Sequence, residues 1–339
     1  MPTVVVLAGL LWAGVAEARP RASTPEAYGP LAVHSTTVRI PVPIDPNGPE
    51  GANPSVAANV YVPSGPGARP LVQFSHAWPG TLREFPLSGW AKRLASRGFV
   101  VIVSDRRGAS SSPNPAFNQL IDLQDLDSDV NSEDILRVLR WAIAQSSVRG
   151  SPLYRKVDRR RIGIAGHSLG AYHATFAAVR SKKEGPRLSA LALLDPTDER
   201  LGEYTLDSSL AVSPQVTTPT VVLASEANQH PIMCDMSDGP DCTIVSRHQY
   251  PRLTGARARF GLKVVGAVHE DVEDPNTGST PSQPRQLQMF ERYGMAWLEF
   301  WVGGDCRVAG YLGGVDAARD QAAKRIALYK GGTRKPTCR

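Results

Sequence analysis

The sequence predicts an α/β fold with a mostly parallel central sheet and helices on both faces. Three observations point there. From residue 69 onward, short apolar runs alternate with segments of helical period, an alternation that implies right-handed crossovers. The runs "RPLVQFSH", "FVVIVSD" and "LSALALLD" are largely apolar along their length rather than alternating, as strands buried on both faces are. No linker is long enough to divide the chain, so the 339 residues read as one large domain rather than two small ones.

The elements follow in order. "VHSTTVRIPVPI" (33–44) alternates and is rich in β-branched residues, and "VAANVYVP" (56–63) repeats the pattern beyond the turn cluster "DPNGPEGANP". Together they predict an antiparallel hairpin at one edge. Strand 69–76 precedes a helix at 87–99 that ends near Gly98, then strand 99–105. Helix 129–145 carries apolar residues at 135, 138, 139 and 143, one face of a helical repeat. Strand 160–166, helix 169–182 and strands 188–195, 218–226 and 259–267 follow, the last of these being the final strand of the reading. Helix 283–304 is the last long one, so the domain is placed at 33–304 and residues 305–339 are read as a C-terminal tail.

Composition excludes several classes. The net charge is +6, but basic residues are scattered apart from "RKVDRRR" at 155–161. No basic stripe is interleaved with aromatics, so no nucleic-acid partner is expected. Residues 1–18 read as a signal peptide: an apolar stretch at 4–15 precedes Ala16-Glu17-Ala18, a small-residue cleavage pattern. No later run has the ~18 apolar residues that a membrane span needs, so no stable membrane insertion is expected.

The four cysteines, Cys234, Cys242, Cys306 and Cys338, lie in the last third. In an exported chain they predict disulfides, with three connectivities open. Cys234 and Cys242 share one loop and are expected to pair, leaving Cys306 and Cys338 to tether the tail. C-x2-C spacing is absent, so no zinc site is expected. Asp125, Asp127, Asp129 and Asn131 imitate the start of a calcium loop, but Val130 and Leu136 stand where glycine and glutamate belong. No metal or cofactor is therefore expected.

The chemistry concentrates at Gly166-His167-Ser168-Leu169-Gly170. This is G-x-S-x-G between a predicted strand and a predicted helix, the setting of a nucleophile elbow. A serine hydroxyl needs a base. Of the histidines well beyond Ser168, His269 follows the last predicted strand and so shares its sheet edge, whereas His230 and His248 fall near the cysteine loop. His167 is expected to serve the elbow structurally, and His173 to lie in the following helix. An oxyanion hole needs two N–H donors, expected from Leu169 and from Trp78 in "HAWPG", with Ala77 next. The orienting acid is read first as Asp195, at the end of "LALLD", with Glu226 and Asp198 as alternatives. At the next strand end stands Asn228, which cannot ionise.

The stretches "FSHAWPG", "LASRGFVVIVSDRRG", "GHSLGA", "LLDPTD" and "GAVHEDVED" resemble the α/β-hydrolases. Within them, the chain is similar to the group holding chlorophyllases, platelet-activating-factor acetylhydrolases and dienelactone-hydrolase-like or PET-hydrolase-like esterases. In the first two, the acid follows the strand after the elbow helix, which the resemblance carries to Asp195. PET-hydrolase-like members use the next strand, where this chain has Asn228. Ala77 replaces the glycine usual in the oxyanion loop.

The resulting expectation is a secreted or periplasmic, monomeric serine hydrolase that cleaves a small-molecule or lipid-like ester. Ser168, His269 and Asp195 form its triad, and an acyl-enzyme is its intermediate. Amide cleavage, acyl transfer, or a non-enzymatic binding protein on this scaffold are the alternatives.

Overall fold

Strand propensity and burial decide the sheet. The computed structural model describes residues 24–43, 55–77, 87–106, 128–197, 200–201, 204–205, 207–226, 244–273 and 284–329. The expected signal peptide (1–18) lies outside them. The hairpin strands β1 (Val33–Pro41) and β2 (Ser55–Pro63) pair antiparallel from Val33–Pro63 to Pro41–Ser55. Next come β3 (Arg69–Ser75), α1 (Ser88–Ser96), β4 (Val100–Ser104), α2 (Ser128–Gln145), β5 (Val157–His167), α3 (Leu169–Glu184) and β6 (Ala190–Leu194). Two-residue strands β7 (Arg200–Leu201) and β8 (Tyr204–Thr205) pair with each other. The chain continues through α4 (Ser209–Val212), β9 (Thr220–Ser225), α5 (Ile244–Arg252), β10 (Arg259–Val264), a 3-10 turn (His269–Val272) and α6 (Pro284–Leu298).

Among the described residues, the main sheet has nine strands in the order β1-β2-β4-β3-β5-β6-β9-β10-β11. From β4 to β10 neighbours run parallel, and β2 meets β4 antiparallel. A further strand, β11 (Ile326–Leu328), pairs antiparallel with β10. This corrects the expectation that 259–267 would be the final strand. Three residues are too few for a period to show in sequence.

Strand alternation sends side chains to two cores. Val72, Phe74, Val101 and Leu223 join α1 and α6 on one face, with Trp90, Leu94, Tyr293 and Trp297. Leu71, Val100, Ile102 and Val222 join α2 and α3 on the other, with Ile135, Leu139, Ala174 and Ala177. Trp90 and Trp297 are fully buried; about 200 Å² each contributes roughly 5 kcal/mol of gross transfer energy.

Residues 299–329, which follow α6, are structured and docked. A π-helical turn (Glu299–Gly303), a 3-10 helix (Cys306–Tyr311) and α7 (Val315–Ala322) lead into β11. Arg292 on α6 bonds both Glu26 (3.0 Å from Nε) and Asp320 on α7 (2.9 Å from Nη1). Tyr293 Oη and Arg325 also donate to Asp320, each at 2.9 Å. These buried charges are all partnered, as burial requires. Among the described residues, no helix is long and apolar enough to cross a membrane.

Candidate active site

β5 runs into Ser168, and α3 starts at the next residue. Ser168 has φ 54° and ψ −122°, a conformation that non-glycine residues adopt at a cost and that clusters at functional sites. Its N–H still donates to Leu194 O at 3.0 Å, extending the ladder towards β6, while its carbonyl accepts from Ala171 and Tyr172 at 2.9 and 3.1 Å. The flanking glycines are required by contact. A Cβ at Gly166 would lie 2.3 Å from Gly170 O, and one at Gly170 would lie 2.4 Å from Ser75 O and 2.6 Å from His76 O. The elbow therefore packs backbone to backbone on the loop after β3.

Asp195 follows β6 and also has positive φ, 42°. Its N–H donates to Leu223 O at 2.6 Å. Its carboxylate is buried: Oδ2 accepts from His269 Nδ1 at 2.8 Å and from Ser225 Oγ at 2.6 Å, and Oδ1 accepts from Ser225 N at 3.0 Å. Burial raises the Asp195 pKa, but the bonds from His269 and Ser225 outweigh it and hold the group below its ordinary value. Burial likewise disfavours charge on His269, yet its bond to Asp195 and that group's charge hold the imidazole above its ordinary value. A carboxylate only accepts, so Nδ1 carries the proton and Nε2 is left basic.

His269 is positioned from several sides. Its 3-10 turn is tied to α1 by Trp90 Nε1, which donates to Val272 O at 2.9 Å. Val268 N donates to Asp271 Oδ2 at 2.9 Å. The His167 ring, one residue before Ser168, lies 4.6 Å from the His269 ring. His167 Nε2 lies 3.1 Å from His269 O, and its Nδ1 lies 3.0 Å from Glu273 Oε1. Burial pushes the Glu273 carboxyl up to about 8, against the pull of the His269 and His76 charges. Burial, with the His269 charge second, pushes His167 down to about 3. Both are thus neutral near pH 7: the Glu273 O–H donates to His167 Nδ1, and His167 Nε2–H donates to the His269 carbonyl.

Of the other expected site residues, Leu169 is buried at the first position of α3, where helix N–H groups have no intrahelical partner. Glu226 is turned to other partners: Lys263 Nζ donates to Oε1 and Gly266 N to Oε2, both at 3.0 Å. The Lys263 bond, then that of Gly266, holds it below its ordinary value. Trp78, Asp198, Asn228, His230, Cys234, Cys242 and Cys338 lie outside the described residues, as do Asp125 and Asp127. Asp129 sits in the first turn of α2, 3.2 Å from Arg180 Nη1. His173 is buried in α3 against Tyr172, and His248 on α5 is exposed.

Sequence reasoning missed Ser225 and Glu273. It also missed a buried cluster at the ends of β3 and β4, formed by His76, Asp105 and Arg106. Only the position of "SDRRG" directly after an apolar strand hinted at the last.

A mostly parallel sheet, a strained serine between strand and helix, and a buried Asp–His pair beside it define an α/β-hydrolase fold. The chain belongs to the PET hydrolase-like family, whose model matches residues 56–330. It is 28% identical over 238 residues to a bis(hydroxyethyl) terephthalate hydrolase of Streptomyces coelicolor, covering 69% of this chain and 58% of that protein's length. It is 24% identical to cutinase 2 of Thermobifida cellulosilytica over 262 residues, 77% of this chain and 79% of that one. Cutinase 1 of the same organism is 22% identical over 253 residues, 75% of this chain and 76% of the relative.

Proposed function

We propose that this protein is an exported serine hydrolase that cleaves carboxylic esters. The observation that carries the reading is the 2.8 Å bond from His269 Nδ1 to the buried Asp195 carboxylate, beside an elbow serine held at φ 54°. Ser168 Oγ attacks the ester carbonyl, forming the Oγ–C bond while its proton passes to His269 Nε2. The carbonyl electron pair moves to oxygen, where the N–H groups of Leu169 and Trp78 receive it. Collapse breaks the bond to the alcohol, which leaves with the proton from His269. Water then repeats the sequence on the acyl-enzyme and releases the acid. Asp195 keeps His269 in the required tautomer and stabilises its charged form.

The names of the relatives make bis(hydroxyethyl) terephthalate and cutin the first esters to test. For export, the supporting feature is the apolar start before Ala18. The expected tether to Cys338 and the Cys234–Cys242 pair belong to the same reading. The mature protein is then a monomer with 33–304 as its catalytic domain.

The test is covalent. A fluorophosphonate probe labels Ser168 of the folded wild type, and Ser168→Ala abolishes both labelling and release of the acid from bis(hydroxyethyl) terephthalate or 4-nitrophenyl butyrate. An unlabelled, inactive wild type defeats the reading and leaves a binding protein on this scaffold.

A further inference from the structure

The loop after β3 is held by a buried guanidinium. Arg106 is 4% exposed, Asp105 4% and His76 0%. A buried arginine must place its donors on acceptors, and Arg106 Nη1 and Nη2 reach two consecutive carbonyls, with Nη1 also 3.3 Å from His76 Nδ1. Nη1 donates to His76 O and, at 3.2 Å, to Ala77 O, while Nη2 donates to Ala77 O at 3.1 Å. His76 adds its own ring: Nδ1 lies 2.8 Å from Ala77 O, and Nε2 lies 3.1 Å from Asp105 Oδ1. Asp105 thus orients the ring, and its own N–H is anchored to Ala57 O of β2 at 2.8 Å.

The consequence follows from peptide planarity. In a trans peptide the carbonyl of one residue and the N–H of the next point in opposite directions. Fixing the His76 carbonyl on the guanidinium therefore turns the Ala77 N–H away from it, and the bonds to the Ala77 carbonyl hold the backbone at the point where it leaves β3. The oxyanion donor is expected from this stretch. The same backbone lies against the elbow, since a Cβ on Gly170 would meet Ser75 O and His76 O. A charged clamp on two carbonyls also polarises their peptide units, which strengthens the N–H groups as donors.

We propose that Arg106, with His76 and Asp105 behind it, is the positioning residue of the oxyanion loop. It holds the backbone from which the donor is expected before substrate arrives. The inference rests on the hydrolase reading above. It concerns how transition-state charge is received, not how substrate is held.

The test uses full-length wild type, Arg106→Lys and Arg106→Met on 4-nitrophenyl butyrate. Active sites are counted by fluorophosphonate titration run to completion. A trifluoromethyl ketone, to which a serine adds to form a tetrahedral oxyanion, reports on the hole directly. Arg106→Met is expected to lose about 100-fold in kcat per titrated site, the scale of one oxyanion donor, with KM within about threefold. The ketone Ki rises by the same factor as kcat/KM falls. Arg106→Lys, which keeps the charge but not the fork, recovers part of the rate.

A loss found wholly in the number of titratable sites, with kcat per site and Ki near wild type, overturns the proposal in favour of a folding role. If Arg106→Met yields no folded protein, Arg106→Lys decides: a rate per site and Ki within about threefold of wild type overturn it, and a matched drop in both supports it. A wild type that neither turns over nor takes the probe defeats the hydrolase reading instead.

Discussion

Glu273 makes the protein less stable at neutral pH than its packing allows, and Glu273→Gln should recover the difference. The carboxyl is buried and neutral up to about pH 8, whereas the unfolded chain ionises it from about 4.3. Between those values the native state holds a proton that the unfolded state releases, so stability falls as pH rises and is flat above about 8. At pH 7 the gap from the unfolded value is about 2.7 decades, worth roughly 3 to 4 kcal/mol at about 1.4 kcal/mol per decade. Glutamine keeps a donor for His167 Nδ1, where the acid now sits at 3.0 Å, and removes the titration. Urea unfolding of both proteins should show no gain near pH 4 and a gain growing by about 1.4 kcal/mol per unit between about pH 5 and 7.5. His167, pushed down to about 3, gives the opposite slope below its unfolded value, but it is common to both proteins and cancels in the difference. Because the tie to the His269 carbonyl survives, kcat should stay within about threefold. A variant whose stability difference is pH-independent, or negative throughout, refutes a neutral Glu273.

Three further outcomes follow from distances at the site. Ser225→Ala removes the 2.6 Å bond to Asp195 Oδ2; urea unfolding should show a loss of about 1.5–3 kcal/mol, the range for bonds to charged groups, and turnover about a tenfold loss of kcat. Gly170→Ala places a Cβ 2.4 Å from Ser75 O, so thermal melts should report a cost of at least the roughly 1–3 kcal/mol of overpacking, with kcat depressed more than KM is raised. The base must be neutral to act and His269 is held above its ordinary value, so the acid limb of kcat/KM should have its midpoint above about 6.5. In Asp195→Asn that limb moves down and kcat falls by about 10⁴; a wild-type midpoint well below 6.5 contradicts the assigned pair.

The parts of this molecule that could be read in the sequence are those whose cause is local. Buried parallel strands announce themselves by unbroken apolar runs, as β4 and β6 do. The elbow does so because two glycines must flank a serine wherever a strand turns sharply into a helix. What could not be read depends on which strands become neighbours. Ser225 is a plain strand residue until β6 and β9 pair with Leu194 opposite Leu223, which sets it against a carboxylate 30 positions earlier. Glu273 in "HEDVED" looks like one solvated acid among several, and only burial against His167 separates it from Glu270. Arg106 and His76 come from strands whose adjacency in the sheet, β4 beside β3, a linear reading does not contain.

The same adjacency explains why the acid facing His269 can sit where it does. β6 and β9 are parallel neighbours in register, so their C-terminal ends lie side by side at one edge of the sheet. A carboxylate at either end can then reach one imidazole. In this chain the end of β6 carries Asp195, and the end of β9 carries Ser225, whose N–H and Oγ both donate to it. The two strand ends have divided the labour, one bearing the charge and the other solvating it. Two donors from Ser225 and one from His269 offset the cost of burying Asp195. An acid returned to β9 would need this arrangement inverted, with a donor at position 195. Placing glutamate at 225 alone would set two buried carboxylates against each other and raise the pKa of one of them.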